Sequence, residues 1–209
     1  FILILIQGSI GWYMVKSGLI ENTTVSHYRL SIHLFIAFSI LSSLVWLVLN
    51  NNNKTKKKFF QLNFKNASLK FLLTFLFAQI ILGAFVSGLD AGKIYQTWPL
   101  MNGSYLPNDI ILNKHYNLNQ ASFVQFLHRN VAYIIFFLSI YVGFNIFKRK
   151  ESKLYINFFV YFSLILLQII LGILVLVSGS NIYFASMHQI SSIFLIIVVI
   201  NLYYCSIRS

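Results

Sequence analysis

The sequence predicts an all-α, polytopic membrane helical bundle with six transmembrane helices. Hydrophobic residues fill 58% of the 209 positions and charged residues only 10%, whereas about a quarter of an ordinary soluble domain is charged. The apolar residues run in six stretches, each near the ~20 residues a helix needs to cross a hydrocarbon core of about 30 Å. The 16 Lys and Arg residues exceed the 4 Asp and Glu, for a net charge of +12, but they fall in short bursts between the apolar runs, as in integral membrane proteins. Together these features exclude a soluble globular domain, a disordered chain and a nucleic-acid binder, so no nucleic acid is expected as a partner.

The six spans fall near Phe1–Leu19, His27–Leu49, Leu69–Leu89, Ser122–Phe147, Tyr155–Ser178 and Tyr183–Ile207. Strands are disfavoured because the runs lack polar alternation and an open sheet cannot satisfy its backbone in lipid. No span contains proline: Pro99 and Pro107 both lie in the long connection before the fourth span. Residue 1 is Phe inside an apolar run, with neither an initiator Met nor a charged n-region. The chain is therefore expected to start within a helix of a longer protein rather than with a signal peptide. Loop charge orients the bundle. Lys54, Lys56, Lys57, Lys58 and Lys65 lie in one connection, Lys148, Arg149, Lys150 and Lys153 in another, and Arg208 after the last span. All three segments fall on one side, which reads as the inner face. The run NNNKTKKKFF is accordingly a linker and topology signal. Cys205 stands alone, which excludes an internal disulfide, and is expected as a buried apolar thiol.

A repeat runs through the spans. The odd-numbered ones carry Gln7, Gly11 and Ser17-Gly18; Gln79, Gly83 and Ser87-Gly88; Gln168, Gly172 and Ser178-Gly179. Each even-numbered span carries one histidine soon after its outer start: His33, His128 and His188. This helix-pair pattern suggests a bundle built from duplicated units. Gln and Gly at these positions read first as packing residues, glycine for close approach and the amide for interhelical hydrogen bonding, with the shaping of a cofactor cavity as the alternative.

The three histidines lie about five to seven residues into their spans, roughly 7–11 Å below the outer boundary at 1.5 Å per residue. One intramembrane histidine need only bond a neighbouring helix, but three at matched depth are candidate metal ligands. Zinc or copper would recruit Cys, carboxylates or closely spaced His pairs. Two histidines from different helices on opposite faces of a flat cofactor suit six-coordinate haem. Arg129 follows His128, and a charge inside a span costs about 2.5–3.5 kcal/mol, which calls for a compensating anion such as a haem propionate. Arg29, one turn outward of His33, has the same candidate role, or else snorkels to the interface. His27 and His115 read as surface residues. The outer connection Asp90–Ala121 contains GLDAGKIYQTWPLMNGSYLP, with Trp98, Leu100 and Met101 as apolar anchors. Its length fits a lid over a cofactor edge or a segment packed at the interface.

The strings GWYMVKSGL, HYRLSIHL, VSGLDAGKIYQTWPLMNG, QFLHRNVAY and ASMHQ, in this order, closely resemble the haem A synthase family in its proteobacterial and mitochondrial, cysteine-free form. The resemblance runs from Gln7 to the sixth span. It implies an eight-helix parent of two pseudo-symmetric four-helix halves, each with a histidine pair. On that mapping residues 1–49 are a remnant of the N-terminal half, 50–68 a basic inner linker, and 69–209 the complete C-terminal half. It further implies that His128 and His188 ligate the iron of a bound haem b, and that His33 is a metal-ligating and catalytic histidine on the substrate-haem side. The implied activity is oxidoreduction: a methyl group of haem O is oxidised, by successive hydroxylation, to the formyl group of haem A for terminal oxidases. The family's first two helices, with the partner histidine and a nearby glutamate, are missing, and no acid within a span replaces that glutamate. The chain alone is therefore expected to be inactive.

Implied partners are the lipid bilayer, haem O and the enzyme that makes it, and an electron donor, with a homo-oligomer left open. The competing functions are a non-catalytic bis-His cytochrome b that relays electrons and, last, a transporter, which would need broken half-helices at mid-membrane. The expected location is a bacterial inner membrane, with the mitochondrial inner membrane as alternative.

Overall fold

A computed structural model describes residues 1–18, 25–53, 56–60, 66–113 and 116–207. Among these, the chain forms α1 (Ile2–Gly18), α2 (His27–Asn52), α3 (Ala67–Gly88), α4 (Asn108–Asn113), α5 (Ala121–Lys148), α6 (Tyr155–Val177) and α7 (Ile182–Ser206). Short 3₁₀ turns cover Ala91–Lys93 and Ser152–Leu154. Helices α2, α3, α5, α6 and α7 are long and apolar enough to cross a membrane. With 17 residues, α1 falls just short of that length. The expected six spans are thus five long helices and one shorter apolar helix, each within a few residues of its expected bounds. The short α4 was not expected. It begins directly after Pro107, whose carbonyl accepts from Ile110 and Ile111, so proline closes the preceding loop and starts the helix.

Neighbours in sequence pack as antiparallel pairs, α1 with α2, α3 with α5, and α6 with α7, and α2 lies between α3 and α7. The densest core sits toward the inner half. Leu72, Val199, Ile200 and Leu202 are fully buried there, with Trp46, Tyr203 and Tyr204 nearly so. Trp46 contacts Phe59 and Tyr204 edge to face, at 4.9 and 5.0 Å between centroids. Buried Ser139 and Tyr161 share a 2.5 Å hydroxyl hydrogen bond between α5 and α6, so two polar groups that lipid would penalise satisfy one another.

The basic linker is joined to the end of α7. Lys57 donates to the Tyr204 and Ile207 carbonyls at 3.1 and 2.5 Å, where α7 runs out of intrahelical donors and a cation is favoured. Tyr203 returns a bond to the Phe59 carbonyl at 2.7 Å. Lys54, Lys65 and Arg208 lie outside the described residues. Cys205 corrects an expectation: it is exposed on the flank of α7, because the neighbouring Leu202, Tyr203 and Tyr204 take the inward-facing positions.

Close helix approach depends on glycine. A Cβ on Gly88 would lie 2.7 Å from the His27 Cβ and 2.8 Å from its Cα, where α3 ends against the start of α2. At Gly8 nothing lies within 4 Å. Gly88→Ala is expected to destabilise the bundle by about 1–3 kcal/mol, whereas Gly8→Ala should be neutral or slightly stabilising. Thermal unfolding in detergent checks this, and equal melting temperatures for the two variants would contradict it.

Candidate functional site

The outer half of the bundle repeats one local arrangement three times. His33 stands six residues after the start of α2, His128 seven after the start of α5, and His188 six after the start of α7. The matched depth anticipated from sequence is therefore present. Each imidazole leans on the partner helix at the glycine of the Gln-x-x-x-Gly pattern. A Cβ at Gly11 would lie 3.2 Å from the His33 Cε1, at Gly83 3.4 Å from that of His128, and at Gly172 3.3 Å from that of His188. The absent side chains form slots for the ring edges.

One turn inward, the glutamine completes each seat. Gln7 donates to His33 Nε2 at 3.1 Å. Gln79 donates to His128 Nε2 at 3.2 Å and to the His128 carbonyl at 3.0 Å. Gln168 donates to the His188 carbonyl at 3.1 Å and to Ser191 Oγ at 2.7 Å. The Nδ1 atoms of all three histidines are buried without a hydrogen-bond partner. Unsatisfied buried polar atoms are rare in folded proteins, and each calls for an explanation. His128 lies within electrostatic range of both His188 and Arg129. Among the described residues, no group of three or more His, Cys, Asp or Glu side chains comes together.

The two arginines are placed differently. Arg29 lies over the Tyr13 ring at 4.8 Å, joining α2 to α1 by a cation–π contact. Arg129 turns into the outer connection and donates to the carbonyls of Thr97 and Tyr95, both at 2.9 Å. Its Nε is buried without a partner. Gln125 donates to the same Tyr95 carbonyl at 2.9 Å. The connection is thus tied onto α5 by polar bonds, with Ala91, Tyr95, Met101 and Ile110 among its buried residues. Met101 is the apolar anchor expected from sequence. Trp98 and Leu100 are not, since both stay exposed.

Asp109 is a second fixing point that sequence did not single out. Its carboxylate accepts from Tyr95 Oη at 2.7 Å, from Gln120 at 3.2 Å, and from Ser122. Burial, the largest influence, pushes this carboxyl up. The hydrogen bonds from Ser122, Tyr95, its own backbone and Gln120 outweigh burial and hold it below the usual carboxylate value. Burial and the adjacent Asp109 push the Tyr95 phenol up. The available signal was scarcity, as Asp109 is one of only four acids in the chain. His27, expected as a surface residue, is half-buried: its ring donates to Asn119 Oδ1 at 3.2 Å and packs on Phe85. His115 lies outside the described residues.

Fold and site together define a multi-pass, all-α membrane protein whose paired helices present a layer of seated imidazoles beneath a pinned outer loop. Its sequence matches the profile of the COX15-CtaA family, described as cytochrome oxidase assembly protein, over residues 1–200, and the chain belongs to that family. It is 48% identical over 196 residues to a protein of Pelagibacter ubique named heme A synthase, a match that covers 92% of this chain and 57% of that protein. It is 38% identical over 209 residues to the heme A synthase of Rickettsia africae, covering 97% of this chain and 61% of the relative. The chain thus spans about three fifths of the length of these curated relatives.

The Asp109 carboxylate stabilises the loop above the ordinary carboxylate range, and that stabilisation is lost as pH falls through its lowered folded value. The raised Tyr95 phenol keeps its bond until pH exceeds the ordinary tyrosine range, about 10. Amide protection across residues 91–107, taken relative to intrinsic exchange at the same pH, is therefore expected to be high near neutrality and lost once the pH falls beneath the ordinary carboxylate range. Asp109→Ala should show the same loss at neutral pH, and unchanged protection in that variant would refute the role.

Proposed function

We propose that this chain supplies the haem-binding half, and part of the second half, of a heme A synthase: a membrane oxidoreductase that converts a methyl substituent of haem O to the formyl group of haem A. Residues 69–209 form the haem-b-binding part, with His128 and His188 as the iron ligands. Residues 1–49 contribute His33 to the substrate side, and residues 50–68 link the two. The single observation that carries this is the thrice-repeated histidine seat, one ring per helix pair, each set against a glycine slot with a glutamine of the partner helix beside it.

The residues present fit a haem. Neutral imidazole is the usual axial ligand, and these imidazoles approach from separate helices in apolar surroundings without the carboxylate or thiolate cluster that zinc or copper would favour. When bound, the haem iron supplies the redox chemistry. The chain's own part is positional. Gly83 and Gly172 let the two rings lie against their partner helices, and Gln79 and Gln168 grip the backbone at each histidine. Rotation of either ring is thereby restricted. Arg129 retains Nε and one further N–H on each terminal nitrogen for a propionate. Arg29 offers a second cation beside His33, stacked on Tyr13. The loop held by Arg129, Gln125 and Asp109 lies over the same end of the bundle.

The membrane is that of a bacterium, with the mitochondrial inner membrane as the second candidate. Haem O, the enzyme that makes it, and an electron donor are the partners this activity requires. A transport function is not supported, because α2, α3, α5, α6 and α7 are continuous helices without proline.

The purified chain, reconstituted with hemin, is expected to show a low-spin haem b spectrum. His128→Ala and His188→Ala should each abolish it, and its survival in the double variant would sink the ligand assignment. For the reaction, this chain is fused to the remaining length of the Pelagibacter ubique relative and supplied with haem O. Chromatography of extracted haems should then reveal haem A. Haem b binding without haem A would favour electron relay.

A further inference from the structure

One hydroxyl sets the third histidine seat apart from the other two. In the α3–α5 pair, the Gln79 amide nitrogen donates to both the His128 carbonyl and the His128 Nε2. A carbonyl can only accept, so it dictates which end of the Gln79 amide faces the ring. The ring nitrogen must then offer its lone pair, and the imidazole proton sits on Nδ1. In the α6–α7 pair the frame is the same. Gln168 and Gly172 are four residues apart, like Gln79 and Gly83, and the glycines face Cε1 at 3.3 and 3.4 Å. Yet the second N–H of Gln168 goes to Ser191 Oγ at 2.7 Å. Ser191, in turn, donates toward the carbonyls of Met187 and His188 at 2.7 and 3.1 Å. Three residues beyond His128 stands Val131, and three beyond His33 stands Ile36. Neither can draw an amide away from a ring.

We propose that Ser191 makes His128 and His188 inequivalent as ligands. By holding the Gln168 amide, Ser191 leaves His188 as the standing ligand. Gln79 is a positioning residue: its amide keeps the His128 Nε2 lone pair in place and must give up that nitrogen before it can ligate. Because Gln79 also bonds the His128 carbonyl, it stays at the seat after releasing the ring. His128 would therefore be the weaker and more exchangeable of the two ligands, the one that a small external ligand would displace. The proposal rests on His128 and His188 being the haem pair.

Imidazole titration of the hemin-loaded chain, followed by its visible spectrum, tests this. Gln79→Leu removes the competitor for His128 Nε2, so imidazole affinity should fall by roughly five- to tenfold, the equivalent of one hydrogen bond. Ser191→Ala frees Gln168 to reach the His188 ring, and affinity should rise by a similar factor. Ser191→Ala combined with Gln168→Leu should restore the wild-type value, which a merely structural role for Ser191 would not do. His128→Ala should retain a high-spin haem on His188, while His188→Ala should lose most of the haem. Unchanged affinity in both Gln79→Leu and Ser191→Ala overturns the proposal, as does a double variant that behaves like Ser191→Ala alone. If Gln79→Leu does not fold, the Ser191 pair decides. Low-spin haem persisting in both histidine variants would instead overturn the underlying ligand assignment, so the two failures are distinguishable.

Discussion

Within an apolar bundle the polar groups at a histidine can be met only by neighbouring helices, because lipid offers no partner and an unmet polar group there costs several kcal/mol. The outer half of this protein is organised around that requirement. Each helix that carries a layer histidine is paired with one that carries glutamine and, four residues on, glycine. Glycine leaves room for the ring edge against the partner helix, and glutamine reaches the ring or the histidine carbonyl. Pairing of α1 with α2, α3 with α5, and α6 with α7 follows from the same contact that seats the histidine. Packing and site construction are one event here.

The outer connection depends on that frame. Arg129, next to His128, is held at the top of α5 and can reach the Tyr95 and Thr97 carbonyls. Asp109 gathers Tyr95, Gln120 and Ser122 from the other side. A cation and an anion thus pin one loop without touching each other, each through hydrogen bonds to neutral groups. This arrangement suits a membrane boundary, where a direct ion pair would be partly screened and weak. At the opposite end Lys57 closes the last turn of α7, so a residue of the basic linker also completes the helix it adjoins.

Much of this was legible in the chain. Runs such as His27–Leu49 and Tyr155–Ser178 locate the long helices to within a few residues, since span length is imposed by the bilayer. The Gln, Gly and His spacings placed three rings at one depth, which the helix starts bear out. The resemblance pointed to the family in which the profile and the relatives place the chain. Where the chain leaves the membrane, legibility fell. Nothing in GLDAGKIYQTWPLMNGSYLP tells Met101, which is buried, from Trp98 and Leu100, which are not. Asp109 looked like one acid in a polar loop. His27 keeps part of its surface exposed, and the rest is covered by Gly88, Phe85 and Asn119, all distant in sequence. Cys205 was misjudged because one residue of helix rotation separates core from lipid.

The sequence by itself determined the apolar helices long enough to cross a membrane, the position of the histidines along them and the pairing rule. Those properties depend on hydrophobicity and on the constant rise of a helix, which act along the chain. Only the tertiary structure decided which donor meets which acceptor. Gln79 serves a ring and Gln168 a hydroxyl, although their local sequences share one pattern, and Arg129 faces loop carbonyls rather than open bundle. Such choices depend on distances of about 3 Å between residues far apart in sequence, and these distances exist only after the helices have packed.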